Sequence, residues 1–257
     1  MGLRGRGRVG CLAVLMVCLA IQKPALAAGY STLSVMPSFF AGQNQNNSQV
    51  RVYDLPLTLT YHAKNWRVSI TAPFLAVSGP GVLNAGAIIA IPRAYGTRAG
   101  LGDIWLKGSV SLDRPANLRP EISPYALLVL PTGARSRGLG TGATNIETGA
   151  EFLWHSGHFY PMARFGYRVA HTRHGYRWRD RFLVVAGSSY SFGQAGFVTL
   201  EFERRGSGRH HQPPAETLFL AFTRPVNKHL SITVFALHGF TSSSATNGAG
   251  IGATVRF

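Results

Sequence analysis

Cysteine is nearly absent: the chain has 2 in 257 residues, and both, Cys11 and Cys18, fall within the first 27 positions. If that segment is removed, what remains has no thiol to oxidise, to ligate a metal or to attack a substrate. This excludes a disulfide framework and a cysteine enzyme. Long apolar runs are missing as well. After the first thirty residues the best is AGAIIAIP at 85–92, far short of the roughly 20 residues a membrane helix requires, so a helical membrane protein is excluded. Amphipathic helical stripes are hard to find, because Gly, Ser, Thr and aromatic residues recur where three-and-four spacing would need Leu or Ala. Acidic residues are scarce too, with 10 Asp and Glu against 26 Lys and Arg and a net charge of +16.

What is present begins with an address. Arg4, Arg6 and Arg8 form a basic start, VGCLAVLMVCLAI is an apolar core too short to span and stay, and Ala25-Leu26-Ala27 supplies a small-x-small cleavage pattern. Residues 1–27 therefore read as a secretory signal cut after Ala27, leaving 28–257 as one domain. A lipoprotein signal ending at Cys18 is the rival reading, but the residue before the cysteine is Val17 and not a small one. Without the signal the chain keeps 22 Lys and Arg against 10 Asp and Glu, a net +12. Such a balance suits an anionic membrane surface, an anionic solute or nucleic acid, and export speaks against nucleic acid.

The body of the chain reads as strands. LSITVFAL (230–237) sets Leu230, Ile232, Val234 and Ala236 against Ser231 and Thr233; DRFLVVAGSSYSF (180–192) sets Phe182, Val184 and Ala186 against Arg181, Gly187 and Ser189; NIETGAEFLW (145–154) sets Ile146, Thr148, Ala150, Phe152 and Trp154 against Asn145, Glu147, Gly149 and Glu151. One face is apolar and the other polar or small. About twelve such strands are expected, near 30–40, 49–62, 65–77, 101–113, 121–131, 143–154, 158–171, 178–192, 195–205, 214–225, 228–240 and 247–257. Many exceed the five or six residues usual in soluble sheets and match the roughly nine to eleven of a tilted membrane strand.

The connections alternate in length. AKN (63–65), HSG (155–157), GQ (193–194) and VN (226–227) are tight, whereas 78–100, TGARSRGLGTG (132–142) and RGSGRHHQPP (205–214) are long, with DRPANLRPE (113–121) intermediate. The expected fold class is all-β: a membrane-spanning antiparallel up-and-down β-barrel with short periplasmic turns and longer extracellular loops, in the outer membrane of a Gram-negative bacterium. The closing stretch NGAGIGATVRF (247–257) fits a last strand that pairs with the first, which removes the sheet edge and stops the end from fraying. A soluble β-sandwich is the alternative.

TAPFLAVSGPG (71–81), GLGDIWLKGSVSL (100–112), LLVLPTG followed by GLGTG and a polar strand (127–149), and the closing LSITVFALHGFTSSSATNGAGIGATVRF resemble the outer-membrane proteins of the phenol-degradation meta-pathway family. The resemblance implies a roughly twelve-stranded barrel acting as a transporter of aromatic or other small hydrophobic compounds. As in outer-membrane barrels generally, it also implies that Phe257 is the signal read by the barrel-assembly machinery.

Strand parity places Asp54, Arg67, Asp103, Lys107, Glu147, Glu151, Arg164, Arg168, Arg181, Glu201, Glu203 and Arg256 in the lumen. An Arg or Lys on the lipid face near mid-bilayer would cost about 2 to 4 kcal/mol. Glu147 and Glu151 precede the HSG turn and Arg164 and Arg168 follow it at similar distances, so the pairs are expected to face each other across one hairpin. They read either as a constriction that selects solutes or as a ladder of salt bridges that fills the lumen. The apolar loop at 78–100 is a candidate to fold inward, or to pack over the rim. Arg93, Arg98, Arg135, Arg137, Arg173, Arg177, Arg204, Arg205 and Arg209 gather on the long-loop side as a basic crown, suited to lipopolysaccharide phosphates or to anionic solutes.

Enzyme chemistry finds little support. His155-Ser156-Gly157-His158 sits in a tight turn with no orienting carboxylate nearby. His171 with His174, and His210 with His211, lack a third ligand at recognisable spacing, and GLGTG (138–142) has no following helix to make a phosphate loop, so it reads as a turn. No cofactor and no metal are expected. The functional expectation is a passive channel for a small solute, with Glu147, Glu151, Arg164, Arg168 and the loop at 78–100 as the constriction. The alternatives are a structural or adhesive barrel with a filled lumen and lipopolysaccharide-binding loops, and an outer-membrane hydrolase.

Overall fold

The computed structural model describes residues 29–43, 48–80, 82–84, 87–89, 96–112, 120–170, 179–208 and 212–257; the expected signal at 1–27 lies outside them. Along the chain the strands are β1 (Tyr30–Val35), β2 (Ser38–Gln43), β3 (Gln49–His62), β4 (Trp66–Ser78), β5 (Val82–Asn84), β6 (Ala87–Ile89), β7 (Thr97–Leu101), β8 (Ile104–Val110), β9 (Glu121–Leu130), β10 (Asn145–Leu153), β11 (Phe159–Ala170), β12 (Arg181–Ser191), β13 (Phe197–Arg205), β14 (Ala215–Pro225), β15 (Leu230–Gly239) and β16 (Asn247–Arg256). β5 and β6 make a separate small hairpin, and the other 14 form one antiparallel sheet. That sheet closes on itself: β16 pairs with β1 through Thr32↔Arg256 and with β2 through Asn247↔Ala41.

Because β1 runs into β2 and β7 into β8 along single staves, the barrel has 12 staves. The two interruptions have a local cause. Pro56 and Pro73 stand opposite each other across β3 and β4, and neither has an N–H to give its other neighbour. The Pro56 carbonyl takes the Met36 N–H at 3.3 Å, in the gap between β1 and β2, and the Pro73 carbonyl takes the Gly102 N–H at 2.8 Å, between β7 and β8. Each missing donor therefore falls opposite a break in the next stave. The sequence expectations 30–40 and 101–113 ran across both breaks.

The faces follow strand parity. Leu55, Leu59, Ile70, Phe165, Leu200, Leu220 and Ile251 point outward and are exposed. In a closed barrel this greasy exterior has only hydrocarbon to meet, which excludes the soluble sandwich. Aromatic pairs border the belt at both ends: Phe39 with Tyr53 (4.9 Å) and Tyr167 with Phe182 (4.8 Å) near the long connections, and Tyr61 with Trp66 (5.4 Å) and Tyr190 with Phe192 (4.9 Å) near the short turns. These are the girdles that membrane barrels carry at their two interfaces.

Phe257 sits at the seam. Its N–H donates to the Ser31 carbonyl and its carbonyl accepts from the Ser31 N–H, each at 3.0 Å, so the last residue is tied to the first stave. On β16 the lumen face is glycine because aromatic rings lie flat against it. A Cβ on Gly248 would come within 2.4 Å of the Phe40 ring, and one on Gly250 within 2.5 Å of the Phe235 ring.

Candidate functional site

The lumen has two unlike walls in its outer half. Along β8 to β13 the inward side chains include a chain of charged groups set among the buried Val129, Leu183 and Val185, and the register that brings the charges together is the one expected from the HSG turn. Glu147 pairs with Arg168 and Glu151 with Arg164 across β10 and β11. Arg168 bridges Glu147 at 2.7 Å, and Tyr125 donates its hydroxyl to the same carboxylate at 2.9 Å. The tyrosine fits because its neighbour is Gly166, where a Cβ would lie 2.3 Å from the phenol oxygen. Glu151 is the hub nearer the short-turn end: it takes Arg67 at 2.6 Å, Lys107 by a direct ion pair, and Arg164 at 3.9 Å. Arg164 reaches on to Glu203 at 3.5 Å, and Arg205 bridges Glu203 at 2.7 Å. Charge-assisted bonds in such a chain strengthen one another away from bulk water.

The opposite wall, from β2, β3, β4 and β15, is apolar on the inside. Phe40, Val50, Val52, Leu75 and Val77 are buried together with Leu139 and Ala245, and Phe235 and Leu237 pack against them. Strand parity pointed these residues inward, but nothing in their chemistry marked them as a site. Their partner Leu139 comes from the connection after β9. Towards the short turns the lumen is lined with hydroxyls paired across staves, as in Ser34 with Thr254 (2.8 Å), Thr58 with Thr71 (2.9 Å) and Ser189 with Thr199 (2.7 Å).

Asp103 joins the two walls. It lies in the gap between β7 and β8, and its carboxylate accepts the Gly133 N–H (3.1 Å), the Thr141 N–H (2.7 Å) and the Thr141 hydroxyl (2.7 Å). Held at both ends by one side chain, residues 133–141 arch into the barrel and bury Leu139 to 1 % exposure. Gly140 is needed at the contact, since a Cβ there would lie 2.3 Å from the Asp103 carboxylate. The GLGTG stretch is thus a turn, as its sequence indicated, but one that points inward. The sequence favoured the loop at 78–100 for this role; its residues 81, 85–86 and 90–95 lie outside the described residues, and between them runs the β5–β6 hairpin, paired through Val82↔Ile89.

Between the walls is a cavity of about 380 Å³. Its lining includes Leu75, Trp105, Leu139, Phe219 and Phe235 together with the charged Asp54, Asp103, Glu201, Glu203 and Arg205. Asp54 keeps one carboxylate oxygen buried without a hydrogen-bond partner among the described residues. Arg181 is buried at 7 % exposure beside Arg168, its direct partner in the β11–β12 register. Arg256, at the short-turn end, lies over the Tyr30 ring at 3.7 Å.

The expected basic crown divides. On a 3₁₀ turn at the start of the inward arch Arg137 is exposed and Arg135 half-buried, and Arg204 points outward, paired with Glu216 at 3.1 Å. Arg98 and Arg205 are turned inward and buried, which corrects their placement in the crown. Both occupy lumen-parity positions on strands, and Arg98 donates to the carbonyls of Gly79 (2.8 Å) and Gly96 (3.3 Å). Arg93, Arg173, Arg177 and Arg209 lie outside the described residues, as do His171, His174, His210 and His211. In the HSG turn, Ser156 and Phe159 exchange backbone hydrogen bonds at 2.9 Å, while the His155 and His158 rings contact Tyr160 and Tyr190. The turn's contacts are those of a strand connection.

These features define a membrane-spanning, up-and-down β-barrel of 12 staves whose outer half is narrowed, among the described residues, by the inward arch of 133–141. Among solved structures the fold is similar to an outer-membrane channel from Pseudomonas putida F1, with a TM-score of 0.70 at 12% identity over 91% of this chain and 97% of that one. It is also similar to the KdgM porin, with a TM-score of 0.58 at 10% identity over 88% and 99% of the two chains. The β domain of the Bordetella autotransporter BrkA follows at 0.50, with 11% identity over 89% and 99%. At such identities the likeness is one of fold, and the fold is that of outer-membrane barrels. No family profile and no curated protein match the sequence.

Proposed function

We propose that this barrel is a passive channel for small solutes across the outer membrane, and that its constriction is the inward arch of residues 133–141. The observation that carries this reading is the Asp103 latch: one carboxylate in a stave gap holds both ends of the arch beside a cavity of about 380 Å³. Inward loops of this kind narrow a barrel without blocking it, and a twelve-stave barrel is intermediate between side-chain-filled and water-filled ones. The channel and porin neighbours support the class. The apolar wall supports the aromatic or hydrophobic solute implied by the resemblance to the phenol-degradation meta-pathway family. In this reading residues 1–27 are a cleaved export signal, and Phe257 is the handle for the assembly machinery.

Purified protein in planar bilayers tests it. The native chain is expected to give small, steady current steps. Asp103→Ala, which frees the arch, is expected to enlarge them several-fold and to make them noisy. Silence from both proteins overturns the channel.

A second reading rests on the paired state of the charged wall and on Arg204, 62 % exposed on the outer face. In it the barrel is a filled structural or adhesive element whose outward arginines hold lipopolysaccharide phosphates. Binding of the refolded protein to lipopolysaccharide vesicles, with no current through it, is the outcome that favours this alternative.

A further inference from the structure

The outer end of the charged wall carries one positive charge too many. Arg168 and Arg181 face each other directly across β11 and β12, an arrangement that repels. Arg205 joins them from β13, and all three are more than nine-tenths buried, at 4 %, 7 % and 6 % exposure. The carboxylates within their electrostatic reach are Glu147 and Glu203, and Glu203 is shared with Arg164. Three guanidiniums therefore share two carboxylates, and the Arg168 Nη1 is buried with no hydrogen-bond partner among the described residues.

Among the described residues no other acidic group supplies the missing negative charge: Glu151 serves Arg67, Lys107 and Arg164, and Glu121 accepts from the hydroxyls of Ser111 and Ser123. The sequence holds 10 acidic residues, and Asp113, between β8 and β9 along the chain, is the only one outside the described residues. Asp180 is engaged at the outer rim with the Ala170 N–H at 3.0 Å. Glu216 pairs outward with Arg204, and Asp103 is committed to the arch. Asp54 and Glu201 line the cavity together with Arg205, and a carboxyl group in an apolar lining can take up a proton. A guanidinium cannot shed one. The charge left over is positive, and a fixed buried cation is stable only with an anion beside it.

Arg205 brings the cluster to the cavity wall, where it faces Phe219, Phe235, Leu237 and Leu139. The volume, about 380 Å³, lies within the roughly 300 to 1,000 Å³ of small-molecule sites. We propose that the lumen binds a small organic anion, with an apolar, ring-sized body against the β14–β15 wall and the arch, and a carboxylate at Arg205, behind which Arg168 and Arg181 are buried. This rests on the channel reading for how the solute arrives, and on the charge count for what it is.

Calorimetric titration of the full refolded chain in zwitterionic detergent tests the proposal, with sodium benzoate as probe and benzyl alcohol, benzylamine and acetate as comparisons. Benzoate is expected to saturate in the millimolar range, with the other three at least about tenfold weaker. Arg181→Gln removes the surplus charge without orphaning a carboxylate; it is expected to weaken benzoate about tenfold and to leave benzyl alcohol unchanged. Arg256→Gln, at the other end of the lumen, is expected to change neither. Benzoate binding no stronger than that of benzylamine, acetate or the alcohol overturns the proposal, as does undiminished binding by folded Arg181→Gln. If that variant does not fold, the native series decides. Current in bilayers without benzoate binding sinks the anion site and leaves the channel; binding without current does the reverse.

Discussion

The two walls of the lumen hold the barrel's interior by opposite means. The wall of β8 to β13 is a chain of ion pairs in which nearly every group depends on its neighbour, with Glu151 alone serving Arg67, Lys107 and Arg164. The wall of β2 to β4 and β15 is an ordinary apolar core displaced to the inside of a membrane protein, sealed by one leucine from a loop. Charge pairs fix geometry strongly, but leave a large penalty when one member is lost. Apolar packing is more forgiving, because a truncated side chain costs only its own contacts and the cavity it leaves. On the channel reading proposed above, the solid wall is the one to orient a solute and the yielding one the one to open.

Substitutions can break this contrast. The largest effect is expected on the charged wall: Glu147→Ala strands Arg168 and leaves the Tyr125 hydroxyl without its acceptor, at a cost of about 3 to 5 kcal/mol. Urea titration of the barrel folded into vesicles would show it, and an unchanged midpoint would mean that water reaches this wall freely. Leu139→Ala comes next, at about 2 to 3 kcal/mol and confined to the arch. The measurement is proteolysis between Gly133 and Thr141, which should speed up while the staves stay protected. If the staves unfold with it, the arch is part of the barrel's global stability and not a separate gate. The smallest effect belongs to the exposed rim, where Arg204→Ala breaks a pair with Glu216 worth about 0 to 1 kcal/mol. A larger loss there would mark the outer rim as a third structural region.

Much of this was legible along the chain, and the residues show why. The stave count, the short and long connections and the Glu147 to Arg168 pairing all follow from a period of two and the length of the HSG turn, which are local properties. Hydropathy was ambiguous where both faces are apolar: LSITVFAL shows Ile232 and Val234 to lipid, but Phe235 and Leu237 to the lumen, and only the alternation with Ser231 and Thr233 separates those destinations. The interruptions at Met36 and Gly102 were not legible either. Their cause is the prolines of neighbouring strands, Pro56 and Pro73, so the signal is not in the strand that breaks.

The sequence by itself determined that the chain must be a closed cylinder of alternating strands, because hydrogen-bonding groups in a bilayer have no other way to be satisfied once helices are excluded. Strand parity also faced Glu147 with Arg168 and Glu151 with Arg164, but the same reading set Arg98 and Arg205 in an outer crown. Only the tertiary structure decided which loop enters the lumen and what Arg98 and Arg205 do there. The apolar stretch at 78–100 was the better candidate on composition; what draws in residues 133–141 is a carboxylate some thirty positions earlier in the chain, which meets that loop only after the staves have closed and brought it alongside.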